Sequence, residues 1–342
     1  MTVNFEKCKH LSLGAATYLQ IMMIHFYEFR NKYNTDNFSK LTKEIFVNKS
    51  KNTKTNKMLF ALKIIQSMGD TDIVESSSYL SMGLKTISKL RSNYRENKKG
   101  KTCAEVIHFV NESIRGLGYE IDENGTNNLD NLTSEILGNA EDHSLLNEYY
   151  VNGVSFKEDE EDQIVELNLV ILNLGDSIYE GFEKTKDKNI EIYQLMNNLF
   201  DIHKQKITSK DHKSYNKESL FTLYALQEGV SRLKFEEQSR GNGTMNFIRS
   251  FINLGAFGEE NPKYESKLNI ISGHTVIDCP NKYKPNLNGT VYQLCLNPEN
   301  DIVELPDRKC IFVNEEYFPG TILQVKIFMS DKYFMKIIKS NE

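Results

Sequence analysis

The sequence predicts an α/β (α+β) protein, on three observations. Separate segments with helical periodicity recur up to about residue 253. Two alternating stretches, 148–156 and 164–172, read as neighbouring strands of a hairpin. Beyond about residue 264 the chain is strand-rich, with candidates at 267–271, 290–296, 310–313, 321–328 and 333–338. With 39% hydrophobic residues, the 342-residue chain can bury a real core. Its length fits two medium domains or one large elaborated one.

Residues 1–100 read as a small α/β unit. A strand at 3–6 precedes an apolar helix over 13–30; a strand at 44–48 then leads through a lysine- and asparagine-rich turn to a helix at 56–68. The run from Leu11 to Phe26 is the most apolar in the chain, but Gln20 and His25 interrupt it. It also falls short of the ~20 residues that span a bilayer, so a buried helix is expected and no membrane partner. The turn lysines Lys49, Lys51, Lys54 and Lys57 read as solvated rather than phosphate-binding. Residues 101–342 form the larger domain. A helix over 103–117 is followed by a loop at 123–128, then a helix around Glu135 capped by Asn128 or Asp130. The acidic run at 158–162 reads as the tip of the hairpin. Helices follow at 177–183, 190–203, 217–229 and from Gly243 to about 253.

A net charge of −5 supplies no global basic field, which argues against nucleic acid as a partner. The five cysteines, Cys8, Cys103, Cys279, Cys295 and Cys310, are odd in number and form no C-x-x-C pair. Reduced thiols in a cytoplasmic protein fit better than a disulfide framework or a zinc site. No secretory leader is expected at the start of the chain. His25 and His108 lie on candidate helices and read as core or surface residues.

The most informative stretch is Asn131-Leu-Thr-Ser-Glu-Ile-Leu-Gly-Asn-Ala-Glu-Asp-His143. At about 100° per residue, Glu135, Asn139, Asp142 and His143 share one helical sector, while Ile136, Leu137 and Ala140 share another. Such a helix can line a pocket with one side and hold the core with the other. Further on, Ser239-Arg-Gly-Asn-Gly243 opens another helix, whose flexible backbone N–H groups would favour an anion. Together they suggest a nucleotide site. The strand ending at Leu172 runs into Asn173-Leu-Gly-Asp-Ser-Ile178, and Phe318-Pro-Gly-Thr321 enters a late strand.

This order resembles the GHKL ATPase superfamily of gyrase-, MutL- and histidine-kinase-type domains. Its motifs run E-x-x-x-N helix, D-x-G-x-G turn, variable lid, G-x-G phosphate loop and G-T strand. The resemblance covers roughly residues 101–340. It implies a GHKL-type Bergerat fold, a mixed sheet with helices on one face, and a lid over about 184–238. It implies ATP and Mg2+ as ligands, with Asn139 as the metal-binding asparagine. Glu135 would be the carboxylate that deprotonates the attacking water. Asp142 and His143 would lie near the base, the ribose or the metal's outer shell. Asn173 and Gly175 resemble the Asp and first Gly of the second motif, whose Asp reads adenine. Here Asn replaces Asp and Ser177 replaces the second Gly, which leaves the choice between ATP and GTP open. Arg240, Gly241, Asn242 and Gly243 resemble the phosphate loop, and Thr321 the threonine near the base. A second Gly-Thr, in Asn288-Gly-Thr290, is set aside as a decoy. Residues 3–68 loosely resemble STAS-like modules of bacterial regulatory proteins. The implied function is slow hydrolysis of Mg-ATP, with lid closure signalling to a protein partner. A non-hydrolysing nucleotide sensor and a serine kinase of the anti-sigma type remain alternatives, and a homodimer is left open.

Overall fold

The computed structural model describes residues 2–32, 46–65, 79–88, 98–159, 164–208, 214–231, 243–254 and 264–331. The chain begins with β1 (Thr2–Asn4), α1 (Leu13–Lys32), β2 (Phe46–Asn48) and α2 (Thr53–Ala61), with β1 and β2 pairing in parallel. Two short strands, β3 (Tyr79–Ser81) and β4 (Lys85–Ser88), precede α3 (Lys98–Arg115) and α4 (Glu123–His143). Then come β5 (Ser144–Asp159), β6 (Ile164–Gly175), α5 (Ile178–Thr185), α6 (Ile190–Lys206), α7 (Lys217–Tyr224) and α8 (Gly243–Leu254). The remaining elements are β7 (Lys267–Pro280), β8 (Asn286–Asn288), β9 (Val291–Gln293) and β10 (Ile311–Ser330).

The main sheet has six strands in the order β3-β5-β6-β10-β7, with β4 also paired to β5. Every pairing in it is antiparallel, which corrects the expected mixed sheet. A hairpin connects β5 to β6, and β10 returns against both β6 and β7. β6 is buried over Ile164–Asn173 because both its faces are covered. Successive side chains alternate between faces. Val165, Leu167, Leu169 and Ile171 join Tyr149, Val151, Leu323 and Val325 in a core shared with α3, α4, α7 and α8. Tyr150, Val154, Val170, Leu172 and Ile322 instead pack with Leu13, Ala16 and Ile21 of α1 and Met58 and Ala61 of α2.

The expected covering of one face is therefore corrected: helices lie on both. The apolar run of α1 backs the sheet only in part: Leu13, Ala16 and Ile21 are buried against it, whereas Met22, Ile24 and Phe26 are exposed, which corrects the expected buried helix. Gln324 Oε1 accepts from the Gly14 backbone N–H at 2.9 Å. Nor does the sheet break at residue 100, because β3 and β4 hydrogen-bond to β5.

Three local readings also change. α4 begins at Glu123, where a loop was expected, because the Asp122 carboxylate rather than Asn128 or Asp130 caps it, accepting from Gly125 N at 2.7 Å. The two strands expected at 310–313 and 321–328 are one bulged strand, with its register shifts between Val313 and Thr321 around Pro319. In the segment expected as a lid, α7 buries Leu220, Phe221, Leu223 and Tyr224 in the main core. Each such side chain contributes about 1.5–3 kcal/mol by burial. α7 is thus core rather than a free cover. The strand expected at 333–338 and lid residues 232–238 lie outside the described residues.

Candidate functional site

α4 divides as its pattern requires. Ile136, Leu137 and Ala140 sink into the core, while Glu135 and Asn139 are half-buried on the adjoining face. Asn139 Nδ2 donates to Thr244 Oγ1 at 3.3 Å. Thr244 is the second residue of α8, so the polar face of α4 meets the N-terminal turn of the helix that follows the glycine pair. The contact spans 105 positions of sequence. Nothing local dictates it; the packing of α4 against α8 does.

Lys99 was not legible as part of this region. A Cβ added to Gly138 would lie 2.9 Å from Lys99 Nζ. Gly138 thus leaves a notch in α4 that receives the ammonium group, next along the chain to Asn139. The only signal was the run Lys98-Lys99-Gly100-Lys101 at the head of α3, which also reads as an ordinary solvated helix start.

At the end of β6, strand pairing builds a row of polar residues. Tyr149 of β5 pairs with Asn173 of β6, Asn173 with Thr321 of β10, and Thr321 with Ser272 of β7. Directly opposed residues share a face, and Tyr149, Ile171 and Leu323 identify it as the one beneath α3 and α4. Asn173 and Thr321, far apart in sequence, are therefore brought side by side. The Thr321 and Ser272 hydroxyls bond to each other at 2.9 Å. Gly320 makes the close approach possible. Its φ is +136°, and a Cβ there would collide with the Asn173 carbonyl oxygen.

The departures from the D-x-G-x-G pattern have a structural account. Ser177 is the N-cap of α5 in a capping box with Glu180, which gives its hydroxyl a structural role. Ser272 Oγ accepts from Ile178 N at 2.8 Å, tying that helix start to β7. Gly175 closes β6 opposite Ser144. Asp176 pairs with Lys184 at 2.6 Å.

Gly243 is the first residue of α8, but Arg240, Gly241 and Asn242 lie outside the described residues. Asp142 and His143 end α4, and their side chains are likewise outside the description. The Asn288-Gly-Thr290 decoy is the turn between β8 and β9, with Gly289 at φ +63°. His25 bonds to the Tyr150 hydroxyl at 3.2 Å on the opposite side of the sheet. Of the turn lysines, Lys54 is not simply solvated: it bonds to Glu166 at 2.7 Å and Glu158 at 3.0 Å.

The cysteines are unpaired, and among the described residues no three His, Cys, Asp or Glu side chains gather as a metal site. No helix among the described residues is long and apolar enough to cross a membrane. The fold is that of a mixed α/β protein with an antiparallel sheet; it carries a polar contact between α4 and α8 and, separately, a row of polar residues at the end of β6. Comparison of the chain with protein-family models, with curated proteins and with solved structures returns no match.

Proposed function

We propose that this region is a GHKL-type site that binds Mg-ATP and hydrolyses it slowly, passing the change to a protein partner. One observation carries the reading: the Asn139–Thr244 contact joins the E-x-x-x-N helix to the first turn of the helix after Gly241-Asn-Gly243. The first-turn N–H groups and the dipole of a helix suit phosphate oxygens, and α8 starts at Gly243. Lys99 adds a cation beside Gly138.

The donor set fits a magnesium ion held jointly with the nucleotide. Asn139 spends its amide nitrogen on Thr244, so its carbonyl is the end suited to a hard cation. With no three-residue His, Cys, Asp or Glu cluster among the described residues, the other ligands would be phosphate oxygens and water. When bound, magnesium would neutralise phosphate charge. Glu135, one turn before Asn139, is the candidate base that takes a proton from water. Asn173 and Thr321 are the candidates for reading the base.

Incubating purified protein with labelled Mg-ATP, while following free phosphate and labelled protein, tests the reading. Phosphate release is expected. Labelled protein would favour the kinase alternative, and binding without either product a sensor. Glu135→Gln keeps volume and helix propensity, and should slow hydrolysis by ~10²–10⁴-fold while Mg-ATP binding persists. Wild-type turnover in that variant would remove Glu135 as the base.

A further inference from the structure

We propose that α6 is a releasable helix and that His203 is its latch, which lets α6 leave α7 when the ring takes up a proton in mild acid. The device does not depend on the nucleotide reading. α6 is weakly anchored for its length: of its 17 residues only Met196 and His203 are buried, and Leu195 and Ile202 are exposed. Its inner face meets α7 through rings. Tyr193 and Phe200 stand edge-on to Phe221 at 5.8 and 6.2 Å, and His203 meets Tyr224 at 5.6 Å. One of two buried anchors is therefore a side chain whose charge changes near neutral pH.

The surroundings of His203 suit the neutral ring. It is 1% exposed, and Nδ1 bonds to the Tyr224 hydroxyl at 2.5 Å. Tyr224 is equally buried, and that burial keeps its hydroxyl protonated. Nε2 is buried and has no hydrogen-bond partner among the described residues. A neutral imidazole carries one N–H and one lone pair, and a hydroxyl can serve either. An imidazolium carries two N–H donors, so Nε2 would hold a charged donor in the core without an acceptor.

The charged groups around the ring do not rescue that state. Lys206, on the same helix, opposes a second positive charge. Glu304, from the segment before β10, attracts one, but its carboxylate already bonds to Lys206 at 2.6 Å and is 43% exposed. The carbonyl end of α6 also draws cations, and Lys204 and Lys206 already supply them. Burial is the largest influence; it outweighs the backbone of Ile302 and Glu304 and holds the imidazole below its ordinary value of 6.5. For a depressed group the stability is present above the ordinary value and is lost as pH falls through the folded one. Acid therefore acts against the anchored position of α6.

Hydrogen exchange read by mass spectrometry at about pH 7.5 and about pH 5.5, corrected for intrinsic rates, tests the latch, since these values bracket the ordinary histidine range. Wild-type α6 peptides should lose protection severalfold at the lower pH, while β6 peptides keep theirs. In His203→Gln, which takes up no proton, α6 protection should be the same at both values. The His203 ring of the wild type, followed by NMR on labelled histidine, should titrate below 6.5. Wild-type α6 protection that ignores pH would overturn the proposal, and so would an acid loss that survives in His203→Gln. If glutamine loosens α6 at both values, the ring titration decides. A midpoint at or above the ordinary value then overturns the latch, and one below it upholds the latch.

Discussion

Glu166 and Asn173 lie on the same strand, both almost wholly buried, and on opposite faces of the sheet. The surroundings answer them in opposite ways. Glu166 faces the side covered by α1 and α2, where Lys54 and Lys326 reach its Oε2 at 2.7 and 3.0 Å and Asn168 donates to its Oε1 at 3.0 Å. Burial alone would raise its carboxyl; the Lys326 and Lys54 charges, with hydrogen bonds from Lys54 and Asn168, outweigh that and hold it below the ordinary value. Asn173 and its neighbour Tyr149 face α3 and α4, and each has a buried polar atom without a hydrogen-bond partner among the described residues. A buried charge with its partners supplied is part of the fold.

The largest effect should come from making the first region resemble the second. Lys54→Met with Lys326→Met strips Glu166 of both cations and leaves an uncompensated buried carboxylate. Breaking a buried ion pair in this way costs about 3–5 kcal/mol, and chemical denaturation should show a loss of that order. A loss below about 1 kcal/mol, the scale of an exposed pair, would mean that water reaches Glu166 and that the contrast with Asn173 is false.

The pH dependence is a smaller effect on the same residue. Because the folded carboxyl lies below its unfolded value, the stability it contributes is present above the ordinary glutamate pKa of 4.5 and is lost as pH falls through the folded value. Wild-type stability should therefore drop below about pH 4.5, and Glu166→Gln should flatten that part of the curve. An identical acid slope in both proteins would show that Glu166 does not titrate in this window. The smallest expected change in stability is that of Asn139→Ala. The side chain is half-buried on a polar face, and alanine favours the helix, so the melting temperature should hardly move. Mg-ATP affinity should weaken all the same. A collapsed variant would assign Asn139 to the α4–α8 packing instead.

Much of the local structure was legible because it depends on neighbours along the chain. The sectors of α4 at Glu135–Asn139 against Ile136–Leu137, the β5–β6 hairpin and the starts of α5 and α8 all follow patterns of a few residues. The resemblance that singled out Asn139, Asn173 and Thr321 also rests on short motifs. The cap of α4 was misplaced because Asn128 and Asp130 offer the same local chemistry as Asp122, and only the extent of packing chooses among them.

What the sequence by itself determined was the type of most elements, the amphipathic division of α4 and the polar residues available for a site. Tertiary structure alone decided that α1 covers the back of the sheet, that Lys54 and Lys326 converge on Glu166, and that Tyr149, Asn173, Thr321 and Ser272 form one row. Strand register is set by the burial of whole faces and by bulges such as the one beside Gly320, and a shift of one residue would turn each side chain to the other face. No local pattern encodes such long-range pairing, so the partners of a buried polar atom, or its lack of them, appear only once the strands are laid side by side.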